Sequence, residues 1–165
     1  MSTYIPGMDP ALQHVIDRAA IVDLLTQYWM HVDRREWGPV KAIFVPGTLV
    51  DYSALMPIGD AVPAEEVVDR IADAIAIYAV TVHNMGNCEI TVDGDTATAE
   101  SVIVAHHAYA DPDRQDGRLP VAGLRYRDAL VRTDAGWRVQ HRRATTDWRA
   151  WWDPRDATYV DGRHQ

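Results

Sequence analysis

Four polar side chains lie far apart in the chain, each within an otherwise apolar segment: Asp33, Tyr52, His83 and His106. A carboxylate beside an imidazole fixes the tautomer of the ring and stabilises its charged form, as acid–base catalysis requires. A tyrosine hydroxyl can donate a hydrogen bond to a carbonyl oxygen of a bound molecule. The set therefore indicates proton-transfer chemistry in an apolar pocket.

Each of these residues also has a purely structural interpretation. Asp33 is predicted at the C-terminal end of a helix, where the helix dipole disfavours a carboxylate by about 0.3–1 kcal/mol. Pairing with the adjacent Arg34 and Arg35, or solvation, would explain it without any catalytic role. His83 and His106, taken singly, fit structural positions in strands. A two-histidine, one-carboxylate metal site would lack any compact ligand spacing, so the sequence gives no support for a metal.

The order of elements, helices first and strands afterwards, predicts an α+β fold. Asp9 is a plausible N-cap, with Pro10 at the first helical position and an apolar stripe that continues to Val32. A third helix is expected to begin near Pro63 and to bury a stripe that ends at Tyr78. The remaining predicted elements are a short helix at residues 39–44 and a strand at 48–53.

After about residue 80 the chain has the pattern of an antiparallel sheet. Asp93-Gly94 is a strong signal for a two-residue hairpin loop, because glycine accepts the positive φ of a type I′ turn. Asp134-Ala135-Gly136 predicts a second hairpin. The predicted strands are residues 80–92, 96–109, 121–132 and 137–148.

The first hairpin also predicts how the histidines are paired. With Asp93 and Gly94 as the loop, His83 lies opposite Val104, and His106 lies on the same face as His83 at roughly 7–8 Å, as a diagonal neighbour. His107 then points to the other face. A β-bulge would shift the register by one residue and place His83 and His106 on opposite faces.

Composition excludes several function classes. The 165 residues fit one domain. The formal charge of −8 disfavours nucleic acid as a partner, and Cys88, the only cysteine, allows neither an intrachain disulfide nor a cysteine-based zinc site. No apolar run approaches the ~20 residues of a membrane span, and no secretory signal is evident. A cytoplasmic protein is therefore expected.

Several motifs resemble those of a known family. The chain is similar to the SnoaL-like group of the nuclear transport factor 2-like superfamily, and within it to scytalone dehydratase and bile-acid 7α-dehydratase. The resemblance covers residues 9–152, which implies a single SnoaL-like domain with its core at about 9–152 and a tail at 153–165. It rests on Val50-Asp51-Tyr52, Pro63-Ala64-Glu65-Glu66-Val67, Thr81-Val82-His83 and Val104-Ala105-His106-His107-Ala108-Tyr109.

The resemblance implies a cone-shaped α+β barrel, in which helices wrap a curved sheet around an apolar pocket. It implies catalytic roles for Asp33, Tyr52, His83 and His106, and it adds Tyr28, which otherwise fits a core position. The implied reaction is a cofactor-free elimination, of the dehydratase or dehydrohalogenase type. His83, paired with Asp33, takes a proton beside an activating group, a tyrosine polarises that group, and His106 assists the leaving group.

The implied substrate is small, cyclic and hydrophobic. Candidates for binding it are Arg143, Tyr126, Trp29 and Leu124, and the tryptophans of residues 148–152 could close the pocket or form an interface. Strands that are apolar on both faces also suggest a homo-oligomer, a dimer or trimer. An isomerase, cyclase or epoxide hydrolase on the same fold stays open. So does a non-catalytic protein that binds a ligand or resembles the small subunit of ring-hydroxylating dioxygenases.

Overall fold

Three α-helices and six β-strands occur in the part of the chain that the computed structural model describes, residues 7–111 and 113–153. Two short strands occur before the third helix, and four long strands follow it. The elements are α1 Pro10–Arg34, α2 Trp37–Ala42, β1 Leu49–Asp51, β2 Val62–Pro63, α3 Ala64–Ile75, β3 Tyr78–Asp93, β4 Thr96–Tyr109, β5 Leu119–Thr133 and β6 Gly136–Trp152.

One curved, unclosed sheet contains all six strands in the order β2-β1-β6-β5-β4-β3. The four long strands pair antiparallel with one another, whereas β1 pairs with β6 in parallel. Helix α1 packs against β3 and β6, and the apolar side chains of the concave face form the core beneath it. The predicted α+β class is therefore confirmed.

Helix α1 begins as its sequence predicts. The side chain of Asp9 accepts hydrogen bonds from the backbone N–H groups of Ala11 and Leu12, and Pro10 occupies the first helical position. The helix ends where Arg35 adopts a left-handed conformation, with φ of 63°. No helix in the two described ranges is long and apolar enough to cross a membrane.

The other predicted elements differ from the structure mainly at their ends. Helix α2 begins at Trp37 instead of residue 39. Helix α3 follows Pro63 as predicted, but Tyr78, expected on its buried stripe, is instead the first residue of β3. The short strand β2 was not predicted, because two residues are too few to show a period. The tail beyond residue 153 lies outside the described residues.

The first hairpin turns one residue later than its sequence signal predicts. Asp93 pairs with Thr96, so the loop residues are Gly94 and Asp95. Gly94 supplies the positive φ, at 58°, that the turn requires. Gly94 is therefore the first loop residue instead of the second, and this changes the pairing of every residue along β3 and β4.

A bulge in β3 then shifts the register again. The pairing changes between Met85 and Cys88, and beyond this point His83 pairs directly with Ala105. Directly paired residues share a face of the sheet, and successive residues alternate between faces. His106 therefore lies on the opposite face from His83, and the predicted shared face is wrong.

Strand β6 also contains irregularities, which reverse its alternation. The pairing with β5 skips Gln140 and Asp147, so each of them is an extra residue on β6. Val139 is buried on the core side. Because Gln140 is an extra residue, the next side chain to be buried on that side is Arg142. Arg143, predicted to enter the pocket, instead points away from the core and is exposed.

Candidate active site

An apolar cavity of about 330 Å³ lies between the concave face of the sheet and helices α1 and α3. Its size is at the lower end of ligand pockets, which span roughly 300–1,000 Å³. The loop after β1 contributes Leu55 and Met56 to its wall, and α3 contributes Ile71. Such a cavity suits a compact apolar molecule.

At one wall of the cavity, Asp33 from the last turn of α1 binds His83 of β3. Asp33 Oδ1 lies 2.6 Å from His83 Nδ1, and Oδ2 accepts a hydrogen bond of 3.0 Å from the backbone N–H of His83. The hydroxyl of Thr81 donates to Oδ1 at 2.8 Å. Burial alone would raise the pKa of Asp33, but the hydrogen bonds from His83 and Thr81 leave it below its usual value.

These contacts explain how α1 accommodates a carboxylate near its C-terminal end. Asp33 is held by groups from the sheet and forms no ion pair with Arg34 or Arg35. Arg35 acts one step further away, because its Nη1 donates to the Thr81 hydroxyl at 2.7 Å and to the Val32 carbonyl oxygen at 3.1 Å. The left-handed backbone at Arg35 thus ends the helix, and the guanidinium of Arg35 binds the Thr81 hydroxyl, which in turn donates to Asp33.

The second nitrogen of His83 is free to act in the cavity. Because Asp33 accepts a hydrogen bond at Nδ1, the neutral ring carries its proton there and its lone pair on Nε2. Trp29 stacks on the imidazole with ring centroids 4.7 Å apart and planes 16° from parallel. The Asp33 contact fixes the tautomer and the Trp29 contact fixes the orientation of the ring, as a general base requires.

Two tyrosines that contact each other also line the cavity. The hydroxyl oxygens of Tyr28 and Tyr52 are 3.2 Å apart, and both side chains are buried. Burial raises the pKa of each phenol above its usual value, so both remain protonated. One hydroxyl donates to the other, which leaves one O–H that can donate to a ligand.

Behind the tyrosines lies a buried ion pair that the sequence analysis did not identify. Arg142 Nε and Nη2 bind the two carboxylate oxygens of Asp128 at 2.7 and 2.8 Å. The guanidinium carbon of Arg142 is 4.4 Å from the ring centroid of Tyr28 and 5.1 Å from that of Tyr126. Its positive charge opposes the effect of burial on the pKa of Tyr52. Arg142 lies on the core side only because Gln140 is an extra residue in β6. No glycine or proline at that point of the sequence indicates the bulge.

His107 occupies the place that the sequence analysis gave to His106. Its ring lies 5.7 Å from that of His83 and 4.6 Å from that of Tyr78, and it lines the cavity. Burial, followed by the nearby charge of His83, lowers the pKa of His107 to about 4. His107 is therefore neutral at physiological pH. Gly86, a glycine inside a strand, is the signal that could have indicated the bulge behind this exchange.

Six of the predicted site residues line the cavity, and Asp33 lies directly behind one of them, His83. Two do not reach it. His106 is exposed on the outer face, 3.5 Å from the amide of Asn84, and Arg143 pairs with Asp51 at 3.2 Å. The six are Tyr28, Trp29, Tyr52, His83, Leu124 and Tyr126.

The described residues offer no metal site. No group of three or more His, Cys, Asp or Glu side chains in residues 7–111 and 113–153 lies close enough to hold an ion. In particular, the set of Asp33, His83 and His106 cannot converge, because the two histidines are on opposite faces of the sheet.

Asp33, His83 and most of the residues that line the cavity fall within residues 13–143, which match the model of the SnoaL-like domain. The chain belongs to the SnoaL-like family. An uncharacterised protein of Mycobacterium tuberculosis, Rv2910c, is 31% identical over 132 residues, which cover 80% of this chain and 86% of the relative. This agrees with the superfamily that the sequence motifs indicated.

Solved structures of the SnoaL-like and NTF2-like type share the fold. A protein from Novosphingobium aromaticivorans, provisionally named a scytalone dehydratase, is 23% identical with a TM-score of 0.70, covering 92% of this chain and 97% of its own. The type 3 hexachlorocyclohexane dehydrochlorinase LinA from Novosphingobium barchaimii is 14% identical with a TM-score of 0.71, covering 92% and 99%. At these identities the similarity establishes the fold alone.

Proposed function

We propose that this SnoaL-like protein is a cofactor-independent lyase that eliminates water or a halide from an apolar cyclic substrate. The observation that carries the proposal is the 2.6 Å contact between Asp33 and His83 at the wall of an apolar cavity. Solved proteins named as a dehydratase and a dehydrochlorinase have the same fold, which supports this class of reaction.

In the proposed reaction, Nε2 of His83 takes a proton from the carbon next to a carbonyl group. Asp33 holds the proton on Nδ1 and stabilises the imidazolium that forms. Tyr52 or Tyr28 donates a hydrogen bond to the carbonyl oxygen as negative charge develops there. The electrons of the C–H bond form the new double bond while the C–O or C–halogen bond on the β carbon breaks. A departing hydroxide takes the proton back from His83 and leaves as water. A halide leaves as the anion, and His83 then releases the proton to solvent water.

A double-bond isomerase is the second candidate. The pKa of His107, lowered to about 4, makes it a poor proton donor at neutral pH, so His83 is the histidine of the cavity that is suited to carry the proton. A single base that removes a proton from one carbon and returns it to another performs an isomerisation. The two candidates share the first step and differ in whether a group leaves.

The shared first step can be measured directly. Cyclic ketones, plain and with a β-hydroxyl or β-halogen, are incubated with the protein in D₂O and followed by proton NMR. The wild type is expected to exchange the α-proton or to eliminate, and Asp33→Asn and His83→Gln are expected to slow this by about a thousandfold. His106→Gln is the matched control, because His106 lies on the same sheet but outside the cavity.

The products decide between the candidates. Loss of water or halide identifies a lyase, and a shifted double bond identifies an isomerase. Full activity in Asp33→Asn or His83→Gln would contradict both. Ligand binding with no exchange in any ketone would instead indicate a non-catalytic binding protein.

A further inference from the structure

One line of residues crosses the concave face of the sheet from β3 to β6. His83 pairs with Ala105, Ala105 with Ala122, and Ala122 with Arg149. Directly paired residues share a face, and all four residues line the cavity. Three strand spacings of roughly 4.8 Å place the backbones of His83 and Arg149 about 14 Å apart. The candidate base and an arginine therefore stand at opposite ends of one row.

The residues between them leave room for a bound molecule. Ala105 and Ala122 carry only a methyl group, so they form a flat apolar floor between two long side chains. Leu55 and Met56 line the same cavity from the loop after β1. A ring that lies on this floor has its edges directed towards His83 on one side and Arg149 on the other.

Arg149 is the only lysine or arginine among the described residues that line this cavity. Its Nη2 lies 3.4 Å from the carbonyl oxygen of Leu55, and within the described ranges it forms no ion pair with a carboxylate. Its position differs from that of five other arginines on β5 and β6, which each pair with an acid: Arg125, Arg127, Arg132, Arg142 and Arg143. An arginine whose donors remain available suits the planar oxygens of a carboxylate.

The geometry points to a substrate that carries a carboxylate on its ring system, bound by Arg149 at the opposite end of the row from His83. This inference rests on the proposed function, because it takes the bond that breaks to be at the His83 end. Arg149 then acts as a residue that determines specificity, selecting acids over neutral compounds of the same shape. The sequence analysis gave a similar binding role to Arg143, but the extra residues in β6 place Arg143 outside and Arg149 inside the cavity.

Binding of matched pairs of compounds tests the inference without turnover. Cyclohexanecarboxylate, benzoate and 2-naphthoate are titrated against their carboxamides at neutral pH and low salt. The indole N–H signals of Trp29 and Trp151, which line the cavity, are followed by NMR. The wild type is expected to bind the acids about two- to fivefold more tightly than the amides, the range for a partly exposed ion pair.

The variant Arg149→Gln is expected to lose this preference, and Arg149→Lys to retain part of it. Arg143→Gln, on the same strand but outside the cavity, should behave as the wild type does. Equal binding of acids and amides, an unchanged preference in Arg149→Gln, or no binding across the series would each overturn the inference. Binding and isotope exchange are separate measurements, so failure of this test leaves the proposed function standing, and failure of exchange leaves this test intact.

Discussion

Two acid–cation pairs lie on either side of the buried aromatic residues of α1, and they differ in their access to the cavity. In the first pair, the side chains of His83 and Asp33 are 7% and 22% exposed, and the imidazole lines the cavity. In the second, those of Arg142 and Asp128 are 1% and 0% exposed. An imidazole can gain or lose its charge near neutral pH, but a guanidinium cannot.

This difference suggests how the two pairs divide the work in the proposed mechanism. The pair that reaches the cavity can accept a proton from a ligand and later release it. The sealed pair keeps its charges, so the Arg142 guanidinium stays against the tyrosine rings, at the cost of removing two ions from water. Substitutions should therefore affect turnover at the first pair and stability at the second.

The largest expected effect concerns the first pair. Asp33→Asn and His83→Gln should each lower α-proton exchange by about a thousandfold, and the double variant should be hardly slower than either, because the two residues act as a unit. Both single variants should remain folded at the temperature of the assay. Isotope exchange and circular dichroism measure these two results, and additive losses in the double variant would contradict a functional pair.

Arg142→Met should lower the free energy of unfolding by about 3–5 kcal/mol, because it leaves Asp128 charged, buried and unpaired. Replacing both partners, as in Arg142→Met with Asp128→Leu, should recover much of this loss, since no buried charge then remains. Urea denaturation measures both values. A stable single variant, or a double variant no better than the single one, would show that the pair is not the source of stability.

The smallest expected effect concerns His107, a cavity histidine that the fold keeps neutral. Its pKa in the folded protein is about 4, against 6.5 as the ordinary value. Between these values the unfolded chain binds a proton that the folded protein does not, so the contribution of His107 to stability is complete above pH 6.5 and declines as pH falls towards 4. Melting temperatures at pH 7 and 4.5 should therefore differ less in His107→Gln than in the wild type.

The exposed residue His106 provides the control for this measurement. His106→Gln should keep the pH dependence of the wild type, because His106 lies on the outer face of the sheet and does not line the cavity. Asp17 and Asp33 have lowered pKa values, to about 2 for Asp17, and their contributions are lost mainly below pH 4. The range from pH 7 to 4.5 therefore separates the effect of His107 from that of the two carboxylates. If the melting temperature of His107→Gln changed with pH as much as that of the wild type, the lowered pKa of His107 would be contradicted.

Residues on a helix and residues on a bulged strand differ in how well sequence places them. The positions of Asp33 and Tyr28 follow from the helical period of α1, and the N-cap Asp9 and Pro10 mark where that helix begins. In a strand the period is two, so one extra residue moves every later side chain to the other face. For this reason His107 lines the cavity where His106 was predicted to, and Arg142 and Arg149 face the concave side of the sheet where Arg143 was predicted to.

By itself, the sequence determined the helices, the four long strands, the α+β class and the chemical types of the site, because these depend on local periodicity and composition. The tertiary structure decided which of two adjacent residues faces the cavity. Bulges after Met85 and at Gln140 and Asp147 arise where neighbouring strands fit together over the core. Gly86 is a local signal for the first of them, but no glycine or proline marks the other two. The tertiary structure also decided that Asp33 meets His83, because that contact joins positions fifty residues apart.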